Sequence, residues 1–274
     1  MIWLSRPVSF CCVLALVVGC VSPSELVFQR MDKLGLDRTI VTGANFSHLM
    51  ARENKAPNSE VLHVYIDHDG LPWVRPNVVS SDPTPRLALG LELMARDEAD
   101  RIYLGRPCYF GLMGDPDCNS RQWTDSRYSD AVVGSMAAAL NSLVEARGAS
   151  TSVVLIGYSG GGTLAFLMAP RVPSTTAVIT IGANLDVAAW TALHHYSALT
   201  GSLDPALEPT LPAGIKQVHM LGGRDTVVPP AISRHVTLRQ PGAVIVDIAE
   251  FDHVCCWVDR WPTLLHDALV HLSD

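Results

Sequence analysis

The chain has 274 residues, 48% of them apolar and 17% charged, with a formal charge of −7. That length and composition suffice for a large core and exclude extended disorder. An acidic balance without any Lys/Arg cluster excludes nucleic acid as the partner.

Residues 1–19 read as an export signal. Arg6 is their only charge, residues 8–18 are almost wholly apolar, and Val17-Val18-Gly19-Cys20 follows. A charged start, a short apolar stretch and a small residue before a cleavage point describe a secretory leader. The stretch is too short to span a bilayer. Its ending resembles a bacterial lipobox, which implies cleavage before Cys20 and lipidation of that cysteine. The expectation is a lipoprotein of a bacterial cell envelope, with a soluble periplasmic or secreted protein as the alternative.

Export bears on the remaining cysteines. With Cys11 and Cys12 removed and Cys20 acylated, Cys108, Cys118, Cys255 and Cys256 are left. An even number in an oxidising compartment favours disulfides. Cys108 and Cys118 bracket a Gly/Pro/Asp-rich loop that can bring them within bridging range. Cys255 and Cys256 form either a vicinal bridge or two buried thiols. None of the four has the spacing of a zinc site.

Residues 20–59 read as a tether and the first strands, with a helix and then antiparallel strands near 39–42 and 47–52. Residues 60–274 read as the catalytic core, alternating short apolar runs with helical stretches. Strands are expected over 61–66, 101–104, 152–156, 177–181, 217–221 and 243–248. Helices are expected over 86–96, 129–147, 163–169, 230–237 and 261–272. This alternation predicts an α/β fold, a mainly parallel, doubly wound sheet with helices on both faces. Two insertions interrupt it, a proline-rich one over 71–85 and the cysteine loop over 105–128. Ligands of such sheets bind beyond the carboxyl ends of the strands, so each catalytic candidate must follow a strand.

The strand over 152–156 runs into Gly157-Tyr158-Ser159-Gly160-Gly161. Gly-x-Ser-x-Gly between a strand and a helix fits a nucleophile elbow, where a sharp turn exposes the serine and leaves no room for side chains beside it. A phosphate-binding turn is the rival, but the lysine of a P-loop and the spacing of a dinucleotide fingerprint are missing.

From about residue 60 to the C-terminus the chain resembles an α/β-hydrolase. Gly222-Gly223-Arg224-Asp225-Thr226-Val227-Val228-Pro229 is similar to the segment carrying the family's acid, and Glu250-Phe251-Asp252-His253 to the loop carrying its histidine. The resemblance implies a Ser159, Asp225, His253 triad, in the family's order of serine, acid, histidine. Asp186, after the preceding strand, is the alternative acid. It also implies an oxyanion hole built from the backbone N–H of Gly160 and that of Asp69 in the loop after the strand over 61–66. His63, Asp67, His68 and Asp69 invite a metal reading, but strand alternation sets His68 on the opposite side.

The expected activity is cleavage of a carboxylic ester through an acyl-enzyme, on a small-molecule or lipid-like substrate, with no cofactor and no metal. An amide or peptide hydrolase on the same scaffold is the alternative, as is a surface lipoprotein that retains the fold without the chemistry.

Overall fold

The computed structural model describes residues 21–55, 59–148 and 150–273. The leader and Cys20 lie outside the described residues. Chain order begins with α1 (Pro23–Lys33), β1 (Leu36–Thr42), β2 (Ser47–Glu53) and β3 (Val61–Ile66). A small hairpin, β4 (Trp73–Arg75) and β5 (Val78–Val79), precedes α2 (Leu89–Met94) and β6 (Arg101–Leu104). Then come α3 (Asp130–Arg147), β7 (Ser152–Tyr158), α4 (Gly160–Met168), β8 (Thr175–Ile181) and α5 (Val187–Leu193). The chain closes with β9 (Lys216–Gly222), α6 (Pro230–Leu238), β10 (Val244–Ile248) and α7 (Trp257–Ser273).

Eight strands form one sheet in the order β1-β2-β6-β3-β7-β8-β9-β10. From β6 to β10 all neighbours are parallel, while β1 and β2 run antiparallel at one edge. A strand inside a parallel sheet is covered on both faces and needs a continuous apolar run. β7 shows it: every residue after Ser152 is buried. α2 packs on α7, and α3 on α4. α2 and α4 both pack against β3 and β7 in the middle of the sheet.

Local signals explain several boundaries. Ser22 caps α1 by accepting from Glu25 N–H, Pro23 follows the cap, and Lys33 sits in the last turn; each suits that end of a helix. Ser129 caps α3 in the same way, through Val132 N–H.

Elsewhere tertiary packing overrides the local pattern. The helix expected over 86–96 is confined to Leu89–Met94, since Ala88 at its N-cap offers no side chain to hold the first turn. α4 begins at Gly160, three residues before the expected start, on three glycines at positions with no room for a Cβ. All nine residues of α4 are buried. Burial of Leu164, Phe166, Leu167 and Met168 contributes roughly 1.5–3 kcal/mol apiece. α7 starts a turn earlier than expected and runs through Pro262. Trp257 and Trp261, one turn apart, are fully buried, which offsets the roughly 3 kcal/mol that an interior proline costs. No helix among the described residues is long and apolar enough to cross a membrane.

Candidate active site

Three loops converge at the carboxyl end of the sheet. Ser159 follows β7, Asp225 follows β9, and His253 lies in the loop between β10 and α7. Ser159 Oγ donates to His253 Nε2 at 3.0 Å, and His253 Nδ1–H donates to Asp225 Oδ2 at 2.7 Å. Asp225 Oδ1 accepts the N–H groups of Val227 (2.9 Å) and Val228 (2.7 Å). The carboxylate is thereby fixed on both oxygens, with its side chain fully buried.

The serine sits at the corner with φ 54° and ψ −125°. Positive φ at a non-glycine residue costs energy and persists only where the surroundings enforce it. Here the enforcement is close packing: a Cβ at Gly157 would overlap the backbone of Gly161 and Gly162, and one at Gly161 the carbonyl of Ile66. The two glycines of the motif are the places where β3, β7 and α4 touch through backbone.

Between Ser159, after β7, and Asp225, after β9, stands the end of β8. Its next residue is Gly182, where a Cβ would lie 3.2 Å from Asp225 Oδ2 and 3.5 Å from His253 Nδ1. A residue without a side chain leaves the histidine room to cross from β10 to β7. The histidine loop is also tied to the elbow, since Tyr158 donates its hydroxyl to His253 O at 2.7 Å.

Asp186 lies elsewhere. It caps α5 by accepting from Ala189 N–H at 2.7 Å and pairs with His235 Nε2 at 2.9 Å. Asp225 is therefore the carboxylate brought to His253.

Asp69 lies beside Gly160, and its carboxylate occupies the space where a Gly160 Cβ would be. Arg106 Nη2 donates to its Oδ1 at 2.6 Å, and Arg127 Nη1 to its Oδ2 at 3.0 Å. Tyr128 OH approaches both oxygens, at 2.8 and 2.6 Å, and Tyr109 OH donates to Asp69 O at 2.9 Å. Burial alone would raise the Asp69 pKa, but the two guanidiniums and the Tyr128 hydrogen bond hold it down to about 2. Burial pushes Tyr109 up to about 12. The carboxylate is thus ionised, and it is matched by two buried cations next to the first N–H of α4.

Of the histidine and aspartate cluster at 63–69, His63 turns away to bond Asp97 Oδ2 at 2.6 Å, which also accepts from Tyr65 at 2.7 Å. Asp67 instead accepts from Tyr103 at 3.3 Å and from His68 N–H at 2.9 Å. Among the described residues no group of three His, Cys, Asp or Glu is arranged to hold a metal ion. Cys108 and Cys118 are joined, with Cα atoms 5.6 Å apart, and Cys255 is joined to Cys256. The first bridge closes residues 108–118, within the insertion that supplies Arg106, Tyr109, Arg127 and Tyr128.

No family model and no curated protein matches the sequence. Solved structures do match the coordinates. An esterase from Pyrococcus furiosus is 11% identical with a TM-score of 0.60, covering 93% of this chain and 94% of that one. A serine hydrolase without a lid from Xanthomonas campestris is 14% identical with a TM-score of 0.55, covering 86% and 93%. A carboxylesterase from Bacillus subtilis is 12% identical with a TM-score of 0.53, covering 91% and 98%. The chain has the α/β-hydrolase fold.

Proposed function

We propose that the protein is a serine hydrolase that cleaves a carboxylic ester with Ser159 as nucleophile, His253 as general base and Asp225 as its orienting acid. The observation that carries the reading is the unbroken hydrogen-bond chain from Ser159 through His253 to Asp225. His253 Nε2 takes the hydroxyl proton as Oγ attacks the ester carbonyl, and Asp225 stabilises the imidazolium formed. The developing oxyanion is received by the backbone N–H groups of Gly160 and Asp69. His253 returns the proton to the departing alcohol. It then activates a water that releases the acid.

The ester reading is supported by the names of two of the matching structures, an esterase and a carboxylesterase. A fluorophosphonate probe tests the nucleophile. Wild-type protein should be labelled on Ser159, and Ser159→Ala should lose labelling and roughly 10⁴–10⁶ of its turnover on p-nitrophenyl esters. Labelling that survives in a folded Ser159→Ala protein refutes the assignment.

The reading extends to export and anchoring through Cys20, supported by the leader-like residues 1–19. Intact mass of the mature protein decides it: an acylated cysteine at the N-terminus is expected, and an N-terminus without added acyl mass removes the anchor.

A further inference from the structure

The insertion between β3 and α2 leaves an apolar surface uncovered. Trp73, Val74 and Val78 of the β4–β5 hairpin, Leu87 before α2, and Val21 and Leu26 at the start of α1 are each 40–57% exposed. Hydrogen bonds tie these three segments together. Ser24 N–H donates to Asp82 at 2.9 Å, and the Ser24 and Thr84 hydroxyls bond at 2.9 Å. At the foot of the hairpin Ser80 N–H donates to Pro72 O, and Leu71 N–H to Pro83 O. Leu26, Arg86 and Leu87 line one cleft.

The charges around this surface are unequal in availability. Glu92 is paired with Arg30, while Glu25 is bonded by the neutral amide of Gln29, so the cations here outnumber the one unpaired glutamate. Arg75, Arg86 and Lys33 make no ion pair among the described residues. A tryptophan among aliphatic side chains, with unpaired cations at the rim, suits the interface between acyl chains and anionic headgroups.

Chain direction indicates the occupant. Cys20, the proposed lipidation site, directly precedes Val21, so on the anchoring reading the chain leaves the bilayer at this surface. The surface also shares an end of the sheet with Ser159, since its insertion follows β3 and β3 pairs with β7. Val227 and Val254, from the loops of Asp225 and His253, are 43% and 52% exposed.

We propose that the β4–β5 hairpin, Leu87 and the start of α1 dock on an anionic phospholipid bilayer and turn the Ser159 end of the sheet toward it. Docking stands without the hydrolase reading. Delivery of a membrane-borne ester to Ser159 rests on it.

Hydrogen–deuterium exchange of the full chain, with and without phosphatidylglycerol vesicles, tests the docking. Exchange should slow across 71–88 when vesicles are added, less with phosphatidylcholine alone, and not at β10. A Trp73→Ser, Leu87→Ser double variant should lose that slowing. It should also hydrolyse a vesicle-borne ester at least about tenfold more slowly relative to a water-soluble one. Unchanged exchange at 71–88 in protein that sediments with the vesicles overturns the proposal, and so does failure to sediment at all. Protection that rises with protein concentration and needs no vesicles assigns the surface to a second copy instead. If no ester is cleaved, the hydrolase reading fails, while the exchange data still decide the docking.

Discussion

Two carboxylates follow neighbouring strands, and both hold backbone N–H groups in their loops, so loop chemistry alone does not rank them. Their second partners do. Asp225 holds His253, whereas Asp186 caps α5 and meets His235. Asp225→Asn should lower kcat by about 10⁴, because the amide favours the wrong imidazole tautomer. Asp186→Asn should keep the activity, and Asp186→Ala should cost about 1 kcal/mol of stability as a lost cap. Steady-state kinetics and urea midpoints measure both, and the reverse pattern would place the acid one strand earlier. Asp69→Asn tests a different role. It leaves two buried guanidiniums without their anion, a loss of about 3–5 kcal/mol. By loosening the N–H proposed for the oxyanion it should also reduce kcat by about 10–10³ with little change in KM. A variant that loses stability but keeps kcat would confine Asp69 to structure. Ser159, Asp225 and His253 were legible because each follows a strand within a short motif. The Asp69 network was not, since Arg106 and Arg127 lie 37 and 58 residues away and no local pattern joins them.

The insertion of residues 105–128 shows what an element without regular structure needs in order to hold a site. It contains two short 3₁₀ turns and a buried Trp123, and its bridge spans ten positions. Closing a loop of that size contributes about 2–3 kcal/mol in the chain-entropy account. Replacing both Cys108 and Cys118 by serine should lower the urea stability by that amount and weaken activity through Arg106. Non-reducing peptide maps of protein expressed into a periplasm should contain the linked pair, and two free thiols there would refute the bridge. The bridge could be anticipated from cysteine parity and loop composition, while the β4–β5 hairpin and α5 could not. Val78–Val79 is too short to register a period, and α5 is a seven-residue helix whose only local sign is the Asp186 cap. The strands of the parallel sheet were legible for the opposite reason: burial on both faces demands unbroken apolar runs.

Across the whole molecule, two buried histidines outside the triad shape the response to acid. Burial pushes His48 and His219 down to about 4 from an ordinary 6.5. Above 6.5 both are neutral whether the chain is folded or not, so their contribution is intact. As pH falls from 6.5 to 4 the unfolded chain takes up protons that the folded chain refuses. Stability then drops by about 1.4 kcal/mol per pH unit for each histidine. Asp69, at about 2 against an ordinary 3.8, extends the loss to lower pH as its carboxylate protonates. Urea midpoints should fall steeply across this window, and His219→Gln should flatten the slope by roughly half. Midpoints that are level from 6.5 to 4 would contradict the burial of these rings as neutral groups.

The crowding around Gly157, Gly161 and Gly162 has a consequence for anyone re-aiming this scaffold. A saturation library should return almost no active clones at those three positions, where any Cβ strikes backbone or the Ala183 side chain. The exposed stretches of the two insertions, residues 73–78 and 111–122, carry no such packing restriction, whereas Arg106, Tyr109, Arg127 and Tyr128 are buried around Asp69 and must stay with the elbow. New substrate range can therefore be selected by recombining those two exposed stretches while the elbow and the Asp69 network pass unchanged from parent to progeny.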